Sequence, residues 1–186
     1  IGAMTRHLAV AESAEVKAGI PALAALASHI GDRQVRAMGT LGGSVANNDP
    51  AACYPSAVLG LGATVQTTER GIAADDYFQG MFTTALKDGE LITAIRFPIP
   101  KRAAYVKFNQ PASRFALVGV FVAQTASGVR VAITGAGNGV FDHVAAKHGA
   151  VDHVEGTFPT LNQGRAGDGD DYGRCHGVSL KKSVGS

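Results

Sequence analysis

The chain has 186 residues, of which 46% are apolar, and 17 basic against 15 acidic side chains leave a formal net charge of +2. This length allows one large domain or two small ones, and the near balance of charge predicts neither nucleic acid nor an anionic membrane surface as a partner. No apolar run approaches the roughly 18 residues of a membrane span, so we expect none. Cys53 and Cys175 form no CxxC pair, so we expect no cysteine-only metal site. A reducing cytoplasm is the simplest compartment for such a chain.

The first sixty residues predict short helices. Thr5 is a candidate cap for a brief first helix, and Ser13 followed by Glu15 is typical of a second helix start. A clearer helix begins at Pro21, a first-turn proline, and ends at Gly31. Its apolar positions follow helical spacing: Leu23, Leu26, Ala27 and Ile30.

The next segment, GTLGGSVANNDP at residues 39–50, is rich in Gly, Asn and Asp, and we expect an irregular loop of these twelve residues. Asn48 and Asp49 are good helix caps, and Pro50 suits a first helical position. We therefore expect a helix from there to about residue 61.

Beyond Gly62 the apolar pattern alternates, which predicts strands at residues 63–68 and 90–100. Pro98 and Pro100 favour a domain boundary, because proline cannot extend a central strand. Two apolar runs around a Ser-Gly turn near residue 127 then predict an antiparallel hairpin. We expect domains at 1–98 and 101–186. Residues 142–186 hold 14 apolar side chains in 45, about 31%, so we expect irregular structure after about 141.

The glycine pair of the predicted loop is the main candidate for binding. In Thr40-Leu41-Gly42-Gly43-Ser44, glycines allow close approach of outward-facing backbone amides to a phosphate or pyrophosphate. The P-loop lysine and the GxGxxG pattern are both missing, so neither standard nucleotide motif applies. A tight structural turn is the alternative, and these residues alone do not decide between the two.

Longer segments carry a resemblance. DRQVR at 32–36 and GTLGGSVANNDPAA at 39–52 resemble the second FAD-pyrophosphate loop of the molybdenum hydroxylase flavoproteins. These are the medium subunit of aerobic carbon monoxide dehydrogenase and the flavin domain of xanthine dehydrogenase. The similarity continues at residues 72–76, 90–95, 105–108 and 114–120, so it covers about residues 1–140.

The resemblance implies an α+β fold. An FAD-binding domain, here without its N-terminal part, would precede a smaller flavoprotein C-terminal-like domain with an antiparallel sheet and helices. The amides of Thr40, Leu41, Gly42, Gly43 and Ser44 would bind the FAD pyrophosphate. The other implied FAD contacts are Ile30 near the adenine, Asn48, Asp49 and Cys53 near the ribityl chain, Ile92 at the flavin, and either Lys107 or Asn109 at the isoalloxazine edge.

The implied function is electron transfer by an oxidoreductase subunit. A large molybdopterin-binding subunit would oxidise the substrate, a small [2Fe–2S] subunit would pass the electrons on, and FAD would deliver them to an external acceptor. No catalytic residue is implied in this chain. The family's first glycine loop, of the form GGHS, lies in an N-terminal segment that this sequence lacks. A cofactor-free fragment that keeps only packing and interaction surfaces is therefore the alternative, and a module for another diphosphate is a third.

Three further groups of residues predict no site. His143, His148 and His153 recur every five residues, which places them on different faces of a helix or strand, so we expect no metal centre with Asp152, Cys175 or His176. Ser44 and Cys53 lack the context of an activated nucleophile, which disfavours hydrolase chemistry. His7 and His29 lie beside predicted helices, and we expect surface or boundary positions for both.

Overall fold

Short helices form the first part of the chain. The computed structural model describes residues 1–137 and the strand at 141–142. Its helices are α1 (His7–Glu12), α2 (Ala14–Gly19), α3 (Pro21–Ser28), α4 (Arg33–Met38), α5 (Leu41–Asn47), α6 (Tyr54–Gly60) and α7 (Ala74–Tyr77).

Local capping explains where the early helices begin. The Ser13 hydroxyl accepts a hydrogen bond from the amide of Val16 and caps α2, and Pro21 occupies the first turn of α3. Both starts confirm the sequence predictions. The expected cap at Thr5 is wrong, because α1 begins after Arg6 without a side-chain cap.

The predicted loop at 39–50 is also wrong, because most of it is helical. The Asp32 carboxylate accepts from the Val35 amide at 2.8 Å and starts α4, and the Thr40 hydroxyl accepts from the Gly43 amide at 3.1 Å and starts α5. The Thr40 cap stabilises α5, a helix that its glycine and asparagine content disfavours. Asn48 ends α5 in a left-handed conformation with φ of 45° instead of starting the next helix, and α6 begins only at Tyr54.

All strand pairings among the described residues are antiparallel. The strands are β1 (Thr64–Thr67), β2 (Gly71–Ala73), β3 (Phe78–Gly80), β4 (Thr83–Thr84), β5 (Ile92–Arg96), β6 (Arg102–Asn109), β7 (Ala116–Thr125), β8 (Gly128–Thr134) and β9 (Phe141–Asp142). They form three sheets in the orders β2-β1-β5, β3-β4 and β6-β7-β8-β9. The mixed architecture confirms the α+β fold class, and β7 with β8 confirms the predicted hairpin.

One apolar core joins the helices to the largest sheet. Phe121 in β7 is fully buried and pairs in register with Tyr105 on one side and Ala132 on the other. A Cβ on Gly60 of α6 would lie 2.9 Å from the Phe121 ring, so this glycine allows the helix to approach the sheet closely. The predicted boundary at residues 98–101 stays a prediction, since residues on both sides share this core.

The opposite face of the β6-β7-β8 sheet is apolar and exposed. Val106 and Phe108 are 71% and 70% exposed, and Val118, paired with Phe108, is 40% exposed. The register places further apolar residues on the same face: Val120, Val122, Val131 and Ile133. The sheet therefore has one face in the core and one apolar face outside it, the kind of surface on which proteins pack.

Candidate functional site

The amides of residues 41–44 donate to acceptors within the chain. The bonds run from Leu41 to the Thr5 carbonyl at 2.9 Å, Gly42 to the Ala3 carbonyl at 2.8 Å, Gly43 to the Thr40 hydroxyl at 3.1 Å and Ser44 to the Thr40 carbonyl at 3.1 Å. These four amides are therefore not free and outward-facing as expected, and the role of residues 40–44 in binding the FAD pyrophosphate stays a prediction. A bridge between Arg6 and Thr40 and the bond from Gly42 to Ala3 hold the N-terminal segment against the start of α5, whereas the amides of Gly43 and Ser44 donate to Thr40.

Gly42 and Gly39 are required by packing. A Cβ on Gly42 would lie 2.5 Å from the Cβ of Ala3, and a Cβ on Gly39 would lie 2.5 Å from Nε2 of His7. Both distances are far shorter than real contacts, so only glycine fits. The glycines of this motif thus let the residue 2–7 segment approach α4 and α5.

A cleft of about 190 Å³ lies beside this motif. It brings together five of the residues predicted from the sequence: Ile30, Ser44, Asp49, Cys53 and Lys107. Its other lining residues are His7, Gly31, Val35, Asn47, Ala51, Ala52, Ser113, Arg114 and Phe115. Its walls come from segments that are far apart in sequence: α1, the end of α3, α5, the start of α6 and the β6-β7 connection.

The remaining predicted residues lie outside the cleft lining. Leu41 and Gly42 are buried and Gly43 is exposed, with Thr40 as the helix cap. Ile92 lies in β5 against the core, and Asn109 is exposed at the end of β6. Asn48 is buried, and its side-chain amide donates to the carbonyls of Gly80 and Thr83 at 2.7 and 2.8 Å. For Asn48 these contacts indicate a structural role, whereas its predicted role in FAD binding stays a prediction, as do those of the other residues.

Hydrogen bonds hold the wall that contains Ile30. Arg36 donates to the carbonyls of Ile30 and Gly31 at 3.0 Å each, and Lys107 Nζ donates to the His29 carbonyl at 2.8 Å. Lys107 thereby links β6 to the end of α3 and keeps its charge at the edge of the cleft.

The charged groups of the lining favour an anion. Lys107 and Arg114 are cations, and Arg114 is held in a left-handed conformation with φ of 60°. The carboxylate of Asp49 already accepts a hydrogen bond from the Ala51 amide at 2.9 Å. Two cations against one engaged carboxylate leave a net positive cleft.

Sequence reasoning missed part of this lining. His7 was expected at a surface or boundary, but it is buried at 4% exposure with its ring 5.3 Å from that of Tyr54. Burial lowers the pKa of His7, so its imidazole is neutral at neutral pH. No local pattern signals this position, because it depends on the approach of α1 to α6. Arg114 and Phe115 lay within the resembling segment 114–120, so a signal for them existed.

The family comparison decides which class of protein has this cleft. The sequence model of the family described as "FAD binding domain in molybdopterin dehydrogenase" matches residues 1–100. The chain belongs to this family. The resemblance stated from the sequence is confirmed, and FAD, the predicted cofactor, is the family's cofactor.

Individual relatives of this FAD-binding domain agree. The chain is 39% identical over 135 residues to the carbon monoxide dehydrogenase medium chain of Afipia carboxidovorans, covering 69% of this chain and 47% of the relative. It is 37% identical over 129 residues to the glyceraldehyde dehydrogenase medium chain of Sulfolobus acidocaldarius, covering 66% and 46%. The chain thus spans about half the length of the curated relatives that it matches.

Solved structures of the family have the same fold. Reconstituted CO dehydrogenase from Oligotropha carboxidovorans matches with a TM-score of 0.70 at 34% identity, over 76% of this chain and 54% of that chain. Quinoline 2-oxidoreductase from Pseudomonas putida 86 matches with a TM-score of 0.70 at 26% identity, over 76% and 53%. These matches confirm the expected fold relationship to the CO dehydrogenase flavoprotein.

The described residues contain neither a membrane-spanning helix nor a metal-binding cluster. Among the described residues, no helix has the length and apolar character that crossing a membrane requires. No cluster of His, Cys, Asp and Glu able to hold a metal ion occurs within residues 1–137. The histidines at 143, 148 and 153, with Asp152, Cys175 and His176, lie outside the described residues.

Proposed function

We propose that this chain is the FAD-binding medium subunit of a molybdenum hydroxylase. FAD bound to it would take electrons from iron–sulfur clusters of a small partner subunit and deliver them to an external acceptor. A large molybdopterin-binding subunit would oxidise the substrate. The observation that carries the proposal is the family match over residues 1–100, together with a cationic cleft lined by five residues expected at the cofactor.

The cleft fits part of an FAD molecule. Sites for ligands of drug size typically enclose roughly 300–1,000 Å³, and this cleft encloses about 190 Å³. Its side chains nevertheless suit a flavin dinucleotide. Lys107 and Arg114 provide the positive charge that a pyrophosphate requires, and Ile30, Val35 and Phe115 provide apolar surface for a planar ring.

Because the amides of residues 41–44 are engaged, side chains must provide the anion binding. Lys107 Nζ uses one of its three hydrogens on the His29 carbonyl, so two remain for a ligand oxygen. Ser44 lines the same cleft, and a serine hydroxyl can donate a further hydrogen bond. When bound, FAD supplies the redox chemistry, and these residues bind and orient it.

The partner subunits and the compartment belong to the same proposal. Several relatives are named medium chains or medium subunits, which supports assembly with a large and a small subunit. The cysteine usage noted above supports the cytoplasm as the compartment.

The test is retention of flavin by the full chain co-expressed with the large and small subunits. We expect flavin absorbance to remain after desalting. Lys107→Gln should weaken FAD binding about 3- to 10-fold because it removes a cation from the cleft. Lys101→Gln, an exposed lysine outside the cleft, should bind FAD like the wild type. Complete loss of flavin from the assembled wild-type complex would refute the proposal.

The second candidate is a cofactor-free protein that keeps only its packing and interaction surfaces. The engaged amides of residues 41–44 and the small cleft favour it. It predicts that the complex retains no flavin after desalting and that Lys107→Gln changes no flavin signal. The same desalting experiment therefore separates the two candidates.

A further inference from the structure

One face of the β6-β7-β8 sheet has only apolar side chains across three consecutive rows of paired residues. We define the outer face as the residues of these rows: Ala104, Val106, Phe108, Val118, Val120, Val122, Val131 and Ile133. The row before them contains Arg102 paired with Gln124, so the apolar area ends in polar residues near the β7-β8 hairpin. An apolar centre with polar residues at its margin is the usual anatomy of a protein interface.

The outer face requires a covering layer. The helices that pack on this sheet contact its other face, where α6 meets Phe121 and the end of α3 meets Lys107. On the outer face, Val106 and Phe108 are 71% and 70% exposed. A sheet that is apolar on both faces is stable in water only when both are covered. The described residues do not supply the second cover.

The rest of this chain is a poor source of that layer. Residues 142–186 have 14 apolar side chains in 45, about 31%, against 46% for the whole sequence. A layer over three rows of valine, isoleucine and phenylalanine needs a comparable area of apolar surface. A second copy of the chain supplies that area, because it carries the same outer face.

The outer face is complementary to itself. It has no charged or hydrogen-bonding side chain, so pressing two copies together leaves no buried polar group unpaired. A two-fold axis brings the same patch of both copies together, and apolar sheets pack face to face about 10 Å apart. Eight side chains of this size would bury on the order of 500 Å² per copy and about 1,000 Å² in total, which reaches the lower end of specific interfaces.

We propose that two copies of this chain pair through their outer faces, sheet against sheet, in a two-fold dimer. Val106 and Phe108 lose the most exposed surface in this arrangement, so they are its main contacts. The inference concerns association of the chain and requires no bound cofactor. It therefore stands or falls separately from the proposed function.

The test is sedimentation velocity of the full chain over a wide range of protein concentration. We expect the wild type to form a single species of twice the mass of the chain. Val106→Lys should weaken the dimer at least about 100-fold, because it buries an unpaired charge in an apolar interface. Leu91→Lys is the matched control, because Leu91 is 65% exposed and lies outside the outer face. It adds the same charge and should leave the dimer intact.

Val106→Thr keeps the inference testable if the lysine variant does not fold. Threonine keeps the shape and the strand preference of valine and adds one hydroxyl, so the dimer should weaken about 10-fold while the circular dichroism spectrum is unchanged. A wild-type chain that stays monomeric at every concentration would overturn the inference. Dimers that both Val106 variants leave intact would overturn it too, because the interface would then lie elsewhere. Aggregates of continuously growing mass would also contradict it, since two-fold pairing closes after two copies.

Discussion

Replacing Gly42 by alanine tests whether the glycine motif serves packing or direct ligand contact. Gly42 is buried, and its amide donates to the Ala3 carbonyl at 2.8 Å. A Cβ at this position would lie 2.5 Å from the Ala3 Cβ and 2.9 Å from the Ala3 backbone. Backbone atoms cannot rotate away, so the N-terminal segment must move. The substitution should therefore lower the free energy of unfolding.

The magnitude follows from three terms. Overpacking costs about 1–3 kcal/mol, and weakening the bond to the Ala3 carbonyl costs about 1 kcal/mol. Alanine gains about 1 kcal/mol of helix propensity over glycine inside α5. The net loss is about 1–3 kcal/mol, which for a chain of this length lowers the melting temperature by about 2–12 °C.

Gly43→Ala is the matched control for this prediction. Gly43 is exposed, and its added Cβ would meet only the rotatable Thr40 hydroxyl at 2.9 Å. The gain in helix propensity and the partial loss of the Thr40 cap, each about 1 kcal/mol, roughly cancel. Circular dichroism melting of both variants without ligand is the assay. Equal melting temperatures for Gly42→Ala and Gly43→Ala would refute the packing role and restore the direct-contact interpretation.

Two further predictions concern buried polar side chains. Hydrogen bonds lower the pKa of the Glu90 carboxyl to about 2; the largest effect comes from Arg70, and smaller ones come from Thr67 and the Lys87 amide. The ionised carboxylate therefore stabilises the fold above the ordinary carboxyl pKa, and this contribution is lost as pH falls from about 4.5 toward 2. Glu90→Gln should therefore melt below the wild type at pH 7, with the difference closing over that range. Asn48→Ala should lower the free energy of unfolding by about 2–4 kcal/mol, since it removes two hydrogen bonds and strains a φ of 45°. Asn48→Gly should lower it less, because glycine adopts this conformation without strain. Urea unfolding measures both variants, and equal losses would contradict the strain argument.

The sequence by itself determined the features that depend on neighbouring residues. Ser13 and Pro21 specify helix starts through bonds and dihedrals within one turn, and the alternating runs of β7 and β8 specify a hairpin through a turn at 126–128. The motif at 39–52 also determined the family, because a long segment of matching residues carries that information without any knowledge of contacts.

Only the tertiary structure decided what the glycine motif does. Whether the Gly42 amide faces a ligand or the Ala3 carbonyl depends on a segment almost forty residues earlier, so no local rule fixes it. The same reason explains His7, which becomes buried only when α1 packs against Tyr54 of α6. Capping and alternation act over a few residues, whereas the cleft arises where distant segments exclude water together.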